Sequence, residues 1–392
     1  MIIKNVKIYT EEKKFTEGVV ITKNDKIEQV ILNSEFYPEN YGQDQIIDGA
    51  GCYCLPGMID LHFHGCKGYD VCDGTKEALK VISEYEASIG VTAIAPATMT
   101  LPVQELEAVL ANAAKYQEMQ EAGDTTFGAD LLGLNMEGPF ISKLKKGAQD
   151  ARNIIPCNVE IYRRFQKAAN GLVKFIGIAP EEEGNEKAAE FISEIKEEVS
   201  VSLAHTNADY DAAKHAFDAG ANHVVHLYNA MPPFSHRAPG VIGAAADSPH
   251  VMSEIICDGV HIHPSAVRSA FRMMGAENMI LISDSMRAAG MPDGQYTLGG
   301  LDVSVKGNRA VLVSDGALAG SVTTLPDCVR TAVKEMGIPL ETAIACATIH
   351  PAKSLGVDDL YGSITVGKKA DLVLWEDDLK LKIVIKDGKV LE

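Results

Sequence analysis

Apolar and polar positions alternate at both ends of the chain. Residues 1–53 contain short alternating stretches such as IIKNVKIYT and GVVITKNDKIEQV, which are separated by polar turns. The same texture returns in residues 357–392. A period of two is typical of β-strands with one buried face. The pattern therefore predicts a small β-sandwich domain that is assembled from both chain ends, residues 1–53 and 357–392.

The middle of the chain, residues 54–356, alternates strand-like apolar runs with amphipathic segments such as TKEALKVISEYEAS and ADYDAAKHAFDAG. The apolar residues of those segments recur at helical spacing. Eight units of strand and helix over about 300 residues match an α/β fold of the TIM-type (β/α)8 barrel class. An open, doubly wound sheet is the structural alternative. The eight apolar runs are LPGMIDLHFH, VTAIAPATM, DLLGLNMEG, LVKFIGIAP, VSVSLAHT, HVVHLYN, VMSEIICDG and MILISDS.

Most of these runs end in a residue type that enzymes use for chemistry. In a closed parallel barrel the carboxyl ends of all strands converge on one face, where catalytic groups collect. The sequence therefore favours the barrel over the open sheet and predicts one shared pocket. The residues at or just after the run ends are His62, His64, Glu137, His205, His226, Asp258, His261 and Asp284.

Four of the histidines and Glu137 are the residue types of a divalent metal site. His62 and His64 lie two positions apart, so on a strand both side chains point to the same face. His205 and His226 close two runs that are 21 positions apart, which places them on neighbouring strands. Two imidazoles and a carboxylate hold a Lewis-acidic metal and leave a coordination position for water. Each residue alone could be a core or surface group, and the repetition at strand ends is what predicts a metal.

Asp284 ends the last apolar run. A carboxylate beside a metal-bound water can accept its proton and later donate that proton to a leaving amine. The structural alternative for Asp284 is an N-cap of the segment that follows.

The charge balance excludes some classes of partner. The chain has 36 Lys and Arg against 54 Asp and Glu, and its net charge of −18 repels nucleic acid and anionic membranes. A small anionic substrate stays possible, because a few local donors act at short range. We expect no membrane span, since no apolar run reaches 18 residues. We also expect no signal peptide, since the N-terminus MIIKNVKIYT lacks a basic n-region, a long apolar h-region and a small-residue cleavage site. Eight cysteines in 392 residues are not a disulfide framework, and we expect a cytoplasmic protein.

Seven motifs occur in the order PGMIDLHFHG, NMEGPF, AHTNA, HLYNAMPPFSHR, DGVHIHP, DSMRAAG and LAGS. Together they resemble the N-acetylglucosamine-6-phosphate deacetylases, a family of the amidohydrolase superfamily. The resemblance runs from the first barrel strand to the terminal GSITVGKKADLV and covers nearly the whole chain. The first motif and the terminal segment are shared across the superfamily, whereas EGPF, HLYNAM and DGVH are more specific.

This resemblance implies a function and a cofactor. The implied reaction is hydrolysis of the acetamide of N-acetylglucosamine 6-phosphate to glucosamine 6-phosphate and acetate, as in amino-sugar catabolism. A metal-bound hydroxide would be the nucleophile, and Asp284 would act as general base and then as general acid. One or two divalent ions are implied, with zinc first and iron, cobalt or manganese as alternatives. The residues that match the family's ligands are Glu137, His205 and His226 for the principal ion, and His62 and His64 for a second ion.

The resemblance also assigns contacts with the sugar phosphate. Arg237 would bind the phosphate group and would reach into a neighbouring subunit's pocket across a homodimer. Gln149 stands where some members carry His; it can donate a hydrogen bond but cannot carry a charge. The remaining implied substrate contacts are Ala148, Asn229, Ala230, Asp258, His261, Leu318, Ala319 and Gly320.

Two other functions compete with this interpretation. The first is another amidohydrolase activity, such as a dihydroorotase-like ring opener or a nucleobase deaminase. Cyclic amidases of that kind often use a carboxylated lysine as the metal bridge, whereas Glu137 occupies the corresponding strand end here. The second is a non-catalytic scaffold that has lost its metal. Comparing the rates of acetate release and ring opening distinguishes deacetylation from the first alternative. Metal analysis of the purified protein tests the second.

Overall fold

The computed structural model describes residues 1–37, 39, 45–125 and 127–391. Both chain ends contribute strands to one eight-stranded sheet, hereafter the end sheet. With strands numbered in chain order, its members are β1 (Ile2–Tyr9), β2 (Phe15–Lys23), β3 (Lys26–Leu32), β4 (Ile46–Asp48), β5 (Tyr53–Pro56), β21 (Leu372–Trp375), β22 (Leu381–Lys386) and β23 (Lys389–Val390). Their order is β23-β22-β21-β5-β1-β2-β3, and β4 pairs with β1.

The alternating apolar residues of the end sheet form a core of their own. Ile3 of β1 lies opposite Val20 of β2, and Leu372 of β21 lies opposite Ile385 of β22. These four side chains are fully buried in one apolar cluster. The strands of both chain ends therefore share one sheet and one core, as the period of two in the sequence predicts.

The eight apolar runs form the strands of a TIM-like barrel. Parallel pairing connects its members in sequence order through two sheets. The backbone N–H of Asp284 donates to the carbonyl oxygen of His62 at 3.0 Å, which connects the end of the last strand to the end of the first. The barrel strands are β6 (Met58–Asp60), β9 (Val91–Ile94), β10 (Ala97–Thr98), β12 (Leu134–Phe140), β13 (Val173–Ile178), β14 (Ser200–Leu203), β15 (His223–Val224), β16 (Met252–Ile256) and β17 (Met279–Ile282).

Helices alternate with the barrel strands, and several of them begin at side-chain caps. Thr75, Asn158 and Asp209 each accept a hydrogen bond from a backbone N–H in the first turn, which satisfies a donor that the helix leaves free. Among the described residues, no helix is long and apolar enough to cross a membrane. The helices are α1 (Lys76–Ser88), α2 (Val103–Glu121), α3 (Val159–Ala168), α4 (Asn185–Ile195), α5 (Tyr210–Ala219), α6 (Gly240–Ala246), α7 (Pro264–Met274), α8 (Leu325–Lys334), α9 (Leu340–Ala347) and α10 (Ile349–Leu355).

A small antiparallel sheet follows the last barrel strand, and the sequence pattern did not predict it. We call it the inserted sheet; its strands are β18 (Gly294–Leu298), β19 (Leu301–Lys306) and β20 (Arg309–Leu312). Its apolar face packs on Met99 and Met286 at the mouth of the barrel. Three short strands complete the fold: β7 (Gly65–Cys66), β8 (Tyr69–Asp70) and β11 (Asp130–Leu131).

A buried ion cluster joins the end sheet to the barrel. Lys386 of β22 is fully buried, and its Nζ lies 2.8 Å from Asp130, 3.2 Å from Asp371 and 3.1 Å from Asp387. Asp130 belongs to β11, which pairs with β9 of the barrel. Burial lowers the pKa of Lys386, but the three carboxylates outweigh this effect and raise the pKa above its usual value.

Candidate metal centre and active site

Glu137 lies within β12, and it meets His205 and His226, which follow the carboxyl ends of β14 and β15. Oε1 of Glu137 lies 2.8 Å from Nε2 of His205 and 2.9 Å from Nε2 of His226. The two imidazole nitrogens are 3.2 Å apart. All three ligand atoms lie within 4.8 Å of one another, so the three residues could coordinate a common ion.

His62 and His64 form a second group with the same glutamate. Nε2 of His62 lies 3.7 Å from Oε1 of Glu137, and Nε2 of His64 lies 3.6 Å from Oε2. These three residues also present ligand atoms within 4.8 Å of one another. Glu137 therefore belongs to both groups of potential ligands.

Hydrogen bonds from Nδ1 aim three of the imidazoles at this centre. The Nδ1 atoms of His64 and His205 donate to the backbone carbonyls of Ala97 (3.0 Å) and Lys145 (2.7 Å). Nδ1 of His62 donates to the carboxylate of Glu254 at 2.7 Å. A histidine that donates through Nδ1 carries a free electron pair on Nε2, which is the form that binds metals.

The donor set fits a divalent cation. Nε2 of His62 and Oδ1 of Asp284 are buried and have no hydrogen-bond partner within the described part of the chain. Buried polar atoms without partners cost free energy, and a cation between them would remove that cost. Imidazole nitrogen and carboxylate oxygen are ligands of zinc and of the neighbouring first-row metals.

Charge is concentrated at the centre. Burial raises the pKa of Glu137, but His205 and His226 lower it well below its usual value, so the carboxylate is ionised. Burial also raises the pKa of Asp284, but the neighbouring imidazoles of His64 and His62 bring it below its usual value. Two buried anions within reach of one another favour the binding of a cation.

The side chain of Asp284 points to the histidine pair and does not cap a helix. Its Oδ1 lies 3.3 Å from Nε2 of His64 and 3.8 Å from Nε2 of His62. The first helix after it, α8, begins at Leu325 and is capped by Thr324. The N-cap alternative therefore has no helix to cap, and the acid/base role of Asp284 stays a prediction.

Three of these residues have backbones in the left-handed region. The φ angles are 44° for His205, 30° for His226 and 49° for Asp284. Residues other than glycine rarely adopt such angles, and each costs about 1–3 kcal/mol unless the surrounding structure holds it. Each of the three residues follows the end of a strand, β14, β15 or β17, and its side chain points into the barrel mouth.

A cavity of about 340 Å³ opens above the centre, which is large enough for a small substrate. Leu298 of the inserted sheet forms part of its wall. The chemically active residues that line it are His64, Glu137, His205, His226 and Asp284. The expected substrate contacts that line it are Ala148, Gln149, Asn229, Ala230, His261, Leu318 and Gly320. Ala319 is fully buried between two of these residues.

Asp258 supports His261 from behind. Its Oδ2 accepts a hydrogen bond from Nδ1 of His261 at 2.7 Å, and its Oδ1 accepts from the backbone N–H of the same residue at 2.9 Å. His261 borders the cavity, so Asp258 acts on that space through the imidazole.

Both ends of the Gln149 amide are engaged. Its Nε2 donates to Oε2 of Glu137, and its Oε1 accepts from the backbone N–H of Thr100 at 2.6 Å. Gln149 therefore orients Glu137 as well as bordering the cavity.

Arg237 lies apart from the other expected residues. It is exposed on the loop between β15 and α6, where Ser235 and Ala238 pair as a tight turn. In the described part of the chain it does not border the cavity of its own subunit. A role across a dimer interface therefore stays a prediction.

Glu254 was not among the residues that the sequence pattern singled out. It is fully buried on β16 and accepts hydrogen bonds from His62, His223 and the backbone N–H of His226. The spacing of Glu254 and Asp258 in the sequence could have indicated it. Glu254 lies four positions before Asp258, so a period of two places both side chains on the inner face of their strand.

Comparison with known proteins places the chain in a family. The sequence profile of the Amidohydrolase family matches residues 53–391. The N-acetylglucosamine-6-phosphate deacetylase of Bacillus subtilis (strain 168) is 39% identical over 100% of this chain and 96% of its own length. The N-acetylgalactosamine-6-phosphate deacetylase of Escherichia coli O157:H7 is 35% identical over 86% of each chain. A solved structure of a variant N-acetyl-D-glucosamine-6-phosphate deacetylase from Mycobacterium smegmatis, in complex with N-acetyl-D-glucosamine-6-phosphate, aligns with a TM-score of 0.88 and 28% identity, covering 100% of this chain and 98% of that chain.

Proposed function

Since the chain belongs to the amidohydrolase family and, within it, to the N-acetylglucosamine-6-phosphate deacetylases, we propose that it hydrolyses N-acetylglucosamine 6-phosphate to glucosamine 6-phosphate and acetate. One observation carries the proposal: Glu137, His205 and His226 present ligand atoms within 4.8 Å of one another, and Asp284 lies within 3.8 Å of the adjoining histidine pair. The reaction belongs to amino-sugar catabolism.

The reaction sets three requirements that these residues can meet. An amide is a weak electrophile with a poor leaving group, so hydrolysis needs a polarised carbonyl, an activated water and a proton for the nitrogen. A divalent cation held by Glu137, His205 and His226 supplies Lewis acidity and lowers the pKa of water towards about 7. Asp284 accepts the proton of the attacking water on Oδ1 and then donates it to the amide nitrogen as the C–N bond breaks. Acetate and the free amine leave, and the carboxylate is regenerated.

We propose a second cation position at His62, His64 and Glu137, where Glu137 serves both ions. The two groups of ligands that share this glutamate support it. Zinc is the first candidate, and iron, cobalt and manganese are alternatives, because nitrogen and oxygen ligands bind all four with modest discrimination.

The substrate contacts are proposed from the cavity walls. Ala148, Gln149, Asn229, Ala230, His261, Leu318 and Gly320 border the space beside the centre, with Ala319 and Asp258 holding their neighbours in place. Arg237 binds the phosphate of the partner subunit's substrate in a homodimer. Its guanidinium offers two parallel donors, which match a phosphate dianion.

We further propose that the end sheet closes as a small β-sandwich domain of residues 1–53 and 357–392, apart from the barrel domain of residues 54–356. The pairing of strands from both chain ends in one sheet supports this proposal.

We also propose that the protein works in the cytoplasm. All eight cysteines are free thiols, as is typical of a reducing compartment.

N-acetylgalactosamine 6-phosphate is a second candidate substrate, because one relative at 35% identity carries that name. The two sugars differ at a single hydroxyl group, and the same centre could act on either.

The decisive experiment measures acetate release from a panel of sugars with defined metals. N-acetylglucosamine 6-phosphate, its galactose isomer, unphosphorylated N-acetylglucosamine and a cyclic amide are each offered to protein loaded with zinc, iron, cobalt or manganese. We expect the highest kcat/KM for N-acetylglucosamine 6-phosphate and no turnover after removal of metal by a chelator. Ring opening of the cyclic amide without acetate release from any sugar would contradict the proposal.

A further inference from the structure

Glu254 lies beneath the proposed metal centre, inside the barrel. It is fully buried, yet it makes four polar contacts. Oε2 accepts from Nδ1 of His62 at 2.7 Å and from the backbone N–H of His226 at 3.2 Å. Oε1 accepts from Nε2 of His223 at 3.0 Å and from Nδ2 of Asn135 at 3.4 Å. Both oxygens are therefore held in place.

The contact with His62 decides which imidazole nitrogen is free. A carboxylate accepts hydrogen bonds and donates none when ionised, so Nδ1 of His62 must carry the proton. Nε2 then presents its electron pair to the centre, where it lies buried without a hydrogen-bond partner among the described residues. Partners of this kind fix the ring orientation and raise the basicity of a ligating histidine.

The other ligands are oriented in a different way. His64 and His205 direct Nδ1 to backbone carbonyls, which no side-chain substitution removes. His226 meets Glu254 through its backbone N–H, not through its ring. Glu254 thus acts on the side chain of one ligand, and that ligand belongs to the group of His62, His64 and Glu137.

A glutamine in place of Glu254 could not make all of these contacts, because both carboxylate oxygens of Glu254 accept hydrogen bonds. His223 and Asn135 both donate to Oε1, while His62 donates to Oε2. A glutamine has one accepting oxygen and one donating nitrogen. If its nitrogen faces His62, the imidazole must accept on Nδ1 and carry its proton on Nε2, which prevents coordination. If its nitrogen faces His223 and Asn135, it meets the donor group of Asn135. Neither orientation reproduces the contacts of the carboxylate.

We infer that Glu254 is a positioning residue that sets the tautomer of His62 and thereby the cation affinity of the group formed by His62, His64 and Glu137. The inference rests on the metal-dependent hydrolysis proposed above. Glu254 touches neither the substrate nor the reacting atoms, and it acts through the imidazole alone.

Glu254→Gln tests this inference through metal binding. Purified metal-free protein is titrated with zinc against a chromophoric chelator, and with cobalt while the absorption spectrum is recorded. We expect one class of sites to weaken by about 10- to 100-fold and the other to stay within about threefold of wild type. Activity lost at limiting metal returns when metal is in excess, with KM unchanged.

Glu86→Gln is the matched control. Glu86 is another buried carboxylate of the barrel, on α1, and its side chain contacts Cys66 instead of a proposed ligand. We expect this variant to bind cations as the wild type does. Wild-type affinity of Glu254→Gln at every site would overturn the inference, as would an equal loss in both variants. Acetate release by the wild type, measured in parallel, tests the proposed function separately: an inactive wild type with a selective loss in Glu254→Gln would reject only that function.

Discussion

At the scale of single residues, Asp284 has a backbone that is held independently of its side chain. Its N–H donates to the carbonyl of His62, and its own carbonyl accepts from the N–H of Ser321 at 2.7 Å. Oδ1 faces the histidines without a hydrogen bond from the described residues. A substitution at this position can therefore change the chemistry without moving the strand end.

Asp284→Asn should keep the metal and lose turnover. The amide has nearly the shape of the carboxylate but cannot accept the proton of the attacking water, so we expect kcat to fall by about 10²- to 10⁴-fold. Initial rates of acetate release and the metal content after gel filtration measure the two quantities. Activity within about tenfold of wild type would reject the acid/base role.

The residue types of the candidate metal centre could be predicted from the sequence, because they recur at the ends of apolar runs. Glu137, His205 and His226 each close a run, and a parallel barrel brings all run ends to one face. Glu254 was not predicted, because it lies inside an apolar run, where an apolar residue is usual. The positive φ angles of His205 and His226 were not predicted either, since tertiary contacts rather than local preference hold them.

At the scale of elements, the inserted sheet forms part of the cavity. Leu298 and Leu312 are both buried in the apolar cluster that joins this sheet to the barrel mouth. Leu298 borders the cavity, whereas Leu312 does not contribute to the described lining. The two leucines therefore separate the stabilising effect of the sheet from its effect on substrate.

Leu298→Ala and Leu312→Ala should have similar effects on stability and different effects on binding. Each removes a buried leucine, which typically costs about 2–5 kcal/mol of unfolding free energy. We expect KM to rise only in Leu298→Ala, because its side chain forms part of the wall. Urea denaturation and steady-state kinetics measure the two effects. An equal rise of KM in both variants would show that the sheet acts through stability alone.

The barrel strands could be predicted because each apolar run is long enough to cross a core. The inserted sheet carries a signal of its own: Gly299 and Gly300, both with positive φ, separate β18 from β19. This hairpin packs on loops of the barrel and not on its strands. A search for repeated strand and helix units passes over such an element because it belongs to no unit.

At the scale of the whole molecule, Lys386 holds the end sheet against the barrel. Lys386→Met leaves three carboxylates close together without their buried cation, and we expect the free energy of unfolding to fall by about 3–5 kcal/mol. Lys382→Met is the control, since Lys382 is exposed on the same strand, and its effect should stay within about 0.5 kcal/mol. Urea denaturation gives both values. Equal values for the two variants would show that the cluster contributes nothing beyond surface charge.

The proposed dimer can be tested by combining two variants that are each impaired on the phosphorylated sugar. Arg237→Ala should lose kcat/KM mainly for the phosphorylated sugar, while unphosphorylated N-acetylglucosamine changes little. If Arg237 acts across the interface, a mixed dimer of Arg237→Ala and Asp284→Asn subunits has one pocket with both groups intact. Co-expression with two affinity tags and purification through both should recover up to half of the wild-type activity. A mixed dimer as inactive as its parents would place Arg237 in its own subunit's pocket or remove it from the site.

The hydrogen bond between Asp284 and His62 joins residues that are 222 positions apart in the chain. The barrel can therefore close only after its last strand has been synthesised. A chain growing on the ribosome already carries the five residues of the candidate metal centre once residue 226 has emerged, and it gains Asp284 only 58 residues later. A chain that ends between these points lacks both Asp284 and the strand that closes the barrel, so we expect it to release no acetate.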